Sequence, residues 1–259
     1  MTNSPLSHTK ISLDKWLKYC ELMITGGTIR ECASEIEVSI PTSFFMRHRI
    51  LDVLNLILKQ DTIEGIVEVD ETYIRESYKG NHSKSTDFIM PREPRKRGKS
   101  KFRGISHEQV CIETAIDRKG NILIGSVGTG RITTEKIVNF FDGKLGKDVT
   151  MCTNSHKSYV SVYKGLDIKM RQIPRGRRMD GVYHIQHINS LHSNFKIWIR
   201  KFNGVATKYI NNYLFWFKFL QISKKNKKSD RVLGLLTNVV SKDITISLDS
   251  IKNRHIEYV

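Results

Sequence analysis

The chain has 259 residues, enough for one large domain or two modest ones, and at 39% hydrophobic it can bury a proper core. Lys plus Arg total 43 against 26 Asp plus Glu, a formal charge of +17 that favours a polyanionic partner such as nucleic acid. No apolar run approaches the roughly 18 residues of a membrane span, and the N-terminus has no hydrophobic signal region, so the expectation is a soluble cytoplasmic protein with no membrane partner.

Four cysteines are scattered and none forms a CxxC pair, which argues against a zinc ribbon or a redox motif. Cys111 and Cys152 fall in apolar strand-like runs and read as small core hydrophobes.

The first element is a helix over "ISLDKWLKYCELMIT", with Leu13, Trp16, Leu17, Cys20 and Met23 at helical spacing. Ser12 is its candidate N-cap, and Gly26-Gly27 ends it. A short helix from Thr28 to about Ile36 follows, then the turn "EVS" and a longer helix with Pro41 in its first turn. Ile29, Cys32, Ala33 and Ile36, then Phe44, Phe45, His48 and Leu51, form the predicted inner faces. This is helix-turn-helix spacing, with Thr42, Ser43, Arg47 and Arg49 on the second helix. Arg47 or Arg49 could meet a phosphate or a base edge. An ordinary helical hairpin fits the pattern as well.

After Gly65 the period changes. "IVEVDETYI" (66–74) alternates as a strand does. A polar insert, 75–105, ends in "REPRKRGKSKFRG", with seven basic residues and one acid between Arg92 and Arg103. Arg95, Lys96, Arg97, Lys99, Lys101 and Arg103 are candidate contacts to a phosphate backbone. "QVCIETAID" and "NILIGSVG" form a hairpin. A helix over 133–141, a strand over 148–154, a helix over 155–164 and a strand over 166–173 come next. Arg175, Arg177 and Arg178 are further candidate DNA contacts. Two long helical stretches close the domain, the second with an aromatic stripe at Tyr209, Tyr213, Trp216 and Phe217. The expected division is a helical helix-turn-helix segment 1–60, an α/β domain 61–222 and a C-terminal extension 223–259.

The predicted order, three antiparallel strands, a helix, and a fourth strand ending at 154, is that of the ribonuclease H-like fold: a mixed α/β sheet flanked by helices, here preceded by the helical segment. In that fold the centre of the first strand and the end of the fourth each offer an Asp, and a late helix a third ligand. Asp70 occupies the first position, on the strand face it shares with Glu68. Two acids on one strand face are costly unless a cation or basic group is near.

"IVEVDETYI", "RGISHEQVCIETAIDRKG", "CTNSHKSY" and "YHIQHINSLHSNFKIWIRKFNGVATKYINNYL" together resemble the insertion-sequence transposases of the IS-fifteen-ninety-five group, within the DDE superfamily. The resemblance spans roughly residues 6 to 220. It implies Mg2+-dependent nicking and joining of double-stranded DNA at element ends and target, a two-metal site, and a homodimer or larger assembly on DNA in the nucleoid. Asp70 matches the first catalytic and metal-binding Asp, and Asn154 stands where the family has its second. Asn189 or His192 is the candidate third residue, at 35 or 38 residues beyond Asn154, with Lys196 on the same helix face for a scissile phosphate.

Two departures stand out. Asn154 is neutral, and an amide oxygen is a weaker ligand than a carboxylate for a hard cation. The family's N-terminal zinc ribbon has no room in residues 1–10, so the chain is expected to be an N-terminally truncated relative. His184 and His187 could line the groove, and no zinc site is assigned to them. Rival readings are a catalytically inactive DNA-binding remnant and a helix-turn-helix transcription regulator. The regulator leaves the strand order unexplained.

Overall fold

The computed structural model describes residues 4–59, 61–80, 89, 91–92, 102–154, 157–162, 166, 168–174, 176–177, 179–242 and 245–259. The chain forms two compact units. One is Thr62–Ile210 with Ile256–Val259; the other is Met1–Asp61 with Asn211–His255.

In the α/β unit, strand β1 (Ile66–Arg75) lies at the centre of a five-stranded sheet. The other strands are β2 (Gln109–Asp117), β3 (Ile122–Thr129), β4 (Thr150–Asn154) and β5 (Lys169–Ile173), in spatial order β3-β2-β1-β4-β5. The pairs β1–β2 and β2–β3 are antiparallel, whereas β4 runs parallel to both β1 and β5. This is the ribonuclease H-like order expected from the sequence.

Alternation along β1 divides its side chains between two faces. Val67 and Val69 join Cys111, Ala115, Leu123, Val127 and Met151 in the core under helix α4 (Thr134–Phe141), which contributes Ile137, Phe140 and Phe141. Tyr159, from the short helix α5 (Lys157–Val160), buries its ring in the same cluster. The opposite face of β1 and β2 carries helix α6 (Gln186–Arg200), which buries Ile188, Leu191, His192 and Phe195. A small hairpin of β6 (Met179–Asp180) and β7 (Tyr183–His184) turns through Gly181 at φ +58° and leads into α6. Its strands are too short to leave a period in the sequence.

In the helical unit, α1 (Leu13–Ile24), α2 (Ile29–Glu35) and α3 (Ile40–Leu58) start at side-chain caps from Ser12, Thr28 and Ser39. Thr28 and Glu31 make a reciprocal capping box. Two expectations for α1 change: Leu13 and Leu17 are 49% and 38% exposed, and the buried face turns instead through Trp16, Tyr19, Cys20 and Met23.

The C-terminal region contributes α7 (Ile210–Ile222), α8 (Lys228–Ser241) and α9 (Leu248–Lys252). Asn211–His255 belongs to the same compact unit as the N-terminal helices. Arg254 grips Asp52 through two 2.8 Å bonds, and Asn212 donates to the same carboxylate at 2.7 Å. No helix among the described residues is long and apolar enough to cross a membrane.

Arg47 is the fixed point of the helical unit. It is fully buried, not solvent-facing as a DNA contact requires. Its guanidinium donates to Gly27 O at 2.7 Å and stacks 4.9 Å from the Trp216 ring and 5.9 Å from the Tyr19 ring. Arg47→Ala is expected to cost about 2–4 kcal/mol, from lost packing and cation–π contact. Arg47→Met should cost less because the stem's packing returns. Urea denaturation followed by tryptophan fluorescence measures both.

Candidate active site

The sheet register brings positions 70 and 154 together. Parallel pairing aligns Glu68 with Cys152 and Val69 with Thr153, so Asp70 and Asn154 stand side by side where the two strands end their ladder. The Asn154 Nδ2 donates to Asp70 Oδ1 at 2.8 Å. The nitrogen side of the amide is turned to the carboxyl, the orientation that an ionised Asp70 requires, since the amide oxygen would then set acceptor against acceptor.

From the facing helix α6, His192 brings Nδ1 to 3.6 Å from Asp70 Oδ2, too long for a hydrogen bond. Burial, assisted by Lys196, pushes the His192 pKa down to about 4, so the imidazole is neutral at pH 7 and this approach is not an ion pair. Its Nε2 is buried without a hydrogen-bond partner among the described residues. Asn189 lies exposed one turn earlier, and Lys196 is exposed one turn later. The structure therefore brings His192 to Asp70 and leaves the Asn189 side chain toward solvent.

Asp70 itself is mostly buried. Burial, then the neighbouring Glu71 charge, raises its pKa from 3.8 to about 7, against opposing help from the Glu71 backbone N–H and from Lys196. The other acids of β1 are committed elsewhere. Glu71 points to the opposite face, where Tyr159 OH lies 2.9 Å from its Oε2 and 3.0 Å from Glu113 Oε1. Glu113 is fully buried opposite Glu71, and desolvation holds its pKa well above the carboxylate range.

Glu68 is engaged at the start of α6. Its Oε2 accepts from His187 N at 2.8 Å and Ile188 N at 3.1 Å. Its Oε1 contacts Arg118 Nη1 and lies 2.7 Å from His187 Nδ1 and 3.2 Å from His184 Nδ1. Glu68, His184 and His187 form a group whose donor atoms lie within 4.8 Å of one another, close enough to hold a metal ion. Residue spacing does not reveal this cluster, because Glu68 lies more than a hundred residues before the two histidines. Its signals were the two histidines flanking the helix start and an arginine in the β2–β3 turn.

The remaining predicted contacts divide three ways. Arg103 and Arg177 are exposed. Arg49 is half-buried and donates to Ser7 O at 3.3 Å. Arg95, Lys96, Arg97, Lys99, Lys101, Arg175 and Arg178 lie outside the described residues.

Residues 62–221, more than half of the chain, match the ISXO2-like transposase domain family. The chain belongs to that family. It is a transposase-domain protein, and its mixed sheet is the ribonuclease H-like sheet of such domains. Among solved structures it is similar to a pre-cleavage Mos1 transpososome, at 11% identity over 83% of this chain and 75% of that chain, with TM-score 0.31. A Mos1 paired-end complex with the left transposon end gives 12% over 88% and 81%, TM-score 0.31. The Mos1 strand transfer complex gives 13% over 88% and 80%, TM-score 0.30. At such scores the fold assignment rests on the strand order and the family match. No curated protein matches the chain.

A two-metal centre is what this family implies, and the donor set at Asp70 does not fit it. Two divalent ions bring four positive charges, and hard cations of this kind select carboxylate oxygens. Here one carboxylate faces an amide that already donates to it and an uncharged imidazole.

The raised Asp70 pKa fixes the sign of a pH effect. The folded protein keeps a proton on Asp70 between about pH 4 and 7 that the unfolded chain has released, so stability owed to this group falls over that range. His192 acts in the opposite sense, since its folded pKa is lowered. Comparing Asp70→Asn with wild type isolates the aspartate. The variant is expected to gain relative stability from about pH 4 to 7, by up to about 4 kcal/mol, and no more above that. Denaturant titrations across pH measure it.

Proposed function

We propose that this transposase-family chain binds double-stranded DNA and that its Asp70–Asn154–His192 centre is incompetent for two-metal strand cleavage. One observation carries the second part: the Asn154 amide donates to Asp70 at 2.8 Å, where a second acid would share a cation. Asp70 then lacks a partner carboxylate, because Glu68 and Glu71 are bound to other groups.

The formal charge of +17 supports DNA as the partner. So do exposed basic residues on the α/β unit, including Lys196, Arg103 and Arg177. In this reading Lys196, beside the Asp70 centre on α6, meets a backbone phosphate. The neutral His192 at its edge adds no charge to repel the phosphate. Assembly of two or more copies on DNA follows from the resemblance and belongs to the same proposal.

Wild type and Asn154→Asp are compared on element-end DNA with Mg2+ or Mn2+, scoring nicks that leave a 3′-OH. Wild type is expected to bind the DNA with a steep salt dependence and to leave it intact. The variant is expected to gain cation-dependent nicking, a barrier change of several kcal/mol or about 100-fold or more in rate. Without metal it should melt earlier than wild type, and Mn2+ should restore it. Equal, robust cleavage by both proteins would falsify the proposal.

A further inference from the structure

Glu68, His184 and His187 gather beside the start of α6. Glu68 Oε1 lies 3.2 Å from His184 Nδ1 and 2.7 Å from His187 Nδ1. The His184 and His187 rings meet edge to face with centroids 4.9 Å apart. They come from different elements, the end of β7 and the first turn of α6, and Glu68 reaches them from β1. Around a tetrahedral ion with bonds of about 2.0–2.2 Å, ligand atoms sit roughly 3.3–3.6 Å apart. The existing spacing is within small side-chain shifts of that.

The spot already selects positive charge. Arg118 Nη1 contacts Glu68 Oε1 and lies 2.8 Å from His187 Nδ1. His187 Nδ1 stands between the Arg118 donor at 2.8 Å and the Glu68 Oε1 acceptor at 2.7 Å, and His184 Nδ1 accepts from Gln186 N at 3.3 Å, so the three ligand atoms already converge on a place held by a cation. Arg118 springs from the β2–β3 turn, and its side chain is 28% exposed. It can swing outward. His187, at 58% exposed, opens the site to solvent and gives an ion its way in.

We propose that Glu68, His184 and His187 form a binding site for one zinc-class transition ion, with Arg118 as the cation that fills it when no metal is bound. Two imidazoles and one carboxylate suit Zn2+, Co2+ or Ni2+ and not Mg2+. Three protein ligands leave a fourth position for water. Glu68 can serve α6 and the ion together, because Oε2 holds the helix N–H groups while Oε1 faces the imidazoles. The site is distinct from the Asp70 centre, and the proposal does not depend on whether the protein cleaves DNA.

The test titrates Co2+ into tag-free, chelator-stripped full-length protein and follows the visible absorption of the bound ion. One Co2+ per chain is expected, with the intense bands of four-coordinate cobalt, displaced by Zn2+ and not by excess Mg2+. His184→Ala and His187→Ala should each weaken binding by at least about 100-fold. Arg118→Ala should tighten it about tenfold, since it removes the competing cation. Circular dichroism checks that each variant is folded, and the exposed His187 is the substitution least able to disturb the fold. Absence of the bands in wild type overturns the proposal. So does undiminished binding in the doubly substituted His184→Ala, His187→Ala protein. Binding lost on Asp70→Ala but kept without the two histidines places the ion at the other centre, which also overturns it.

Discussion

The α/β unit depends on how β1 holds α6. Glu68 puts a buried carboxylate against the first N–H groups of that helix, which Ile185 at the N-cap position cannot satisfy with its own side chain. At the other end Lys79, just beyond β1, donates to the carbonyls of Phe202, Asn203 and Gly204 past the helix terminus. An anion at the helix start and a cation at its end both match the macrodipole. One stretch of chain thus fixes both ends of the helix that carries His192 and Lys196. The cost of burying Glu68 is offset by two backbone donors and the Arg118 guanidinium, so its charge is useful only while the helix is docked.

This arrangement leaves Asp70 facing position 154 with no neighbouring acid of β1 beside it. β1 carries three acids within four residues, and each has a different commitment. Glu68 holds α6, Glu71 shares Tyr159 with Glu113 on the far face, and Asp70 alone faces the end of β4. Strand alternation forbids Glu71 from turning to help, and the capping role forbids Glu68. With an amide at 154 the centre keeps one carboxylate, raised to about pH 7 by its own burial.

Much of this was legible from residue patterns. The strand order followed from periodicity and turn residues, and the pairing of positions 70 and 154 followed from the strand order. The requirement for a basic group near Glu68 came from electrostatics alone, and Arg118 with the α6 N-terminus meets it. What escaped were contacts between distant segments. Nothing local marks Arg47 as buried, because its partners Tyr19, Cys32 and Trp216 are spread across the chain. The same holds for residues 211–255, whose place beside the N-terminal helices depends on the Asp52 clamp. His192 and Asn189 were equal candidates by spacing. Only the rotation of α6, set at its two ends, separates them.

Amide hydrogen exchange at His187 and Ile188 tests the central claim most directly. Helix first-turn N–H groups usually exchange freely, since they lack intrahelical acceptors. If Glu68 anchors α6, these two amides exchange as slowly as the middle of the helix, and Glu68→Ala, which removes the acceptor oxygens, releases them while the sheet stays protected. Fast exchange of both in the wild-type protein would contradict the account.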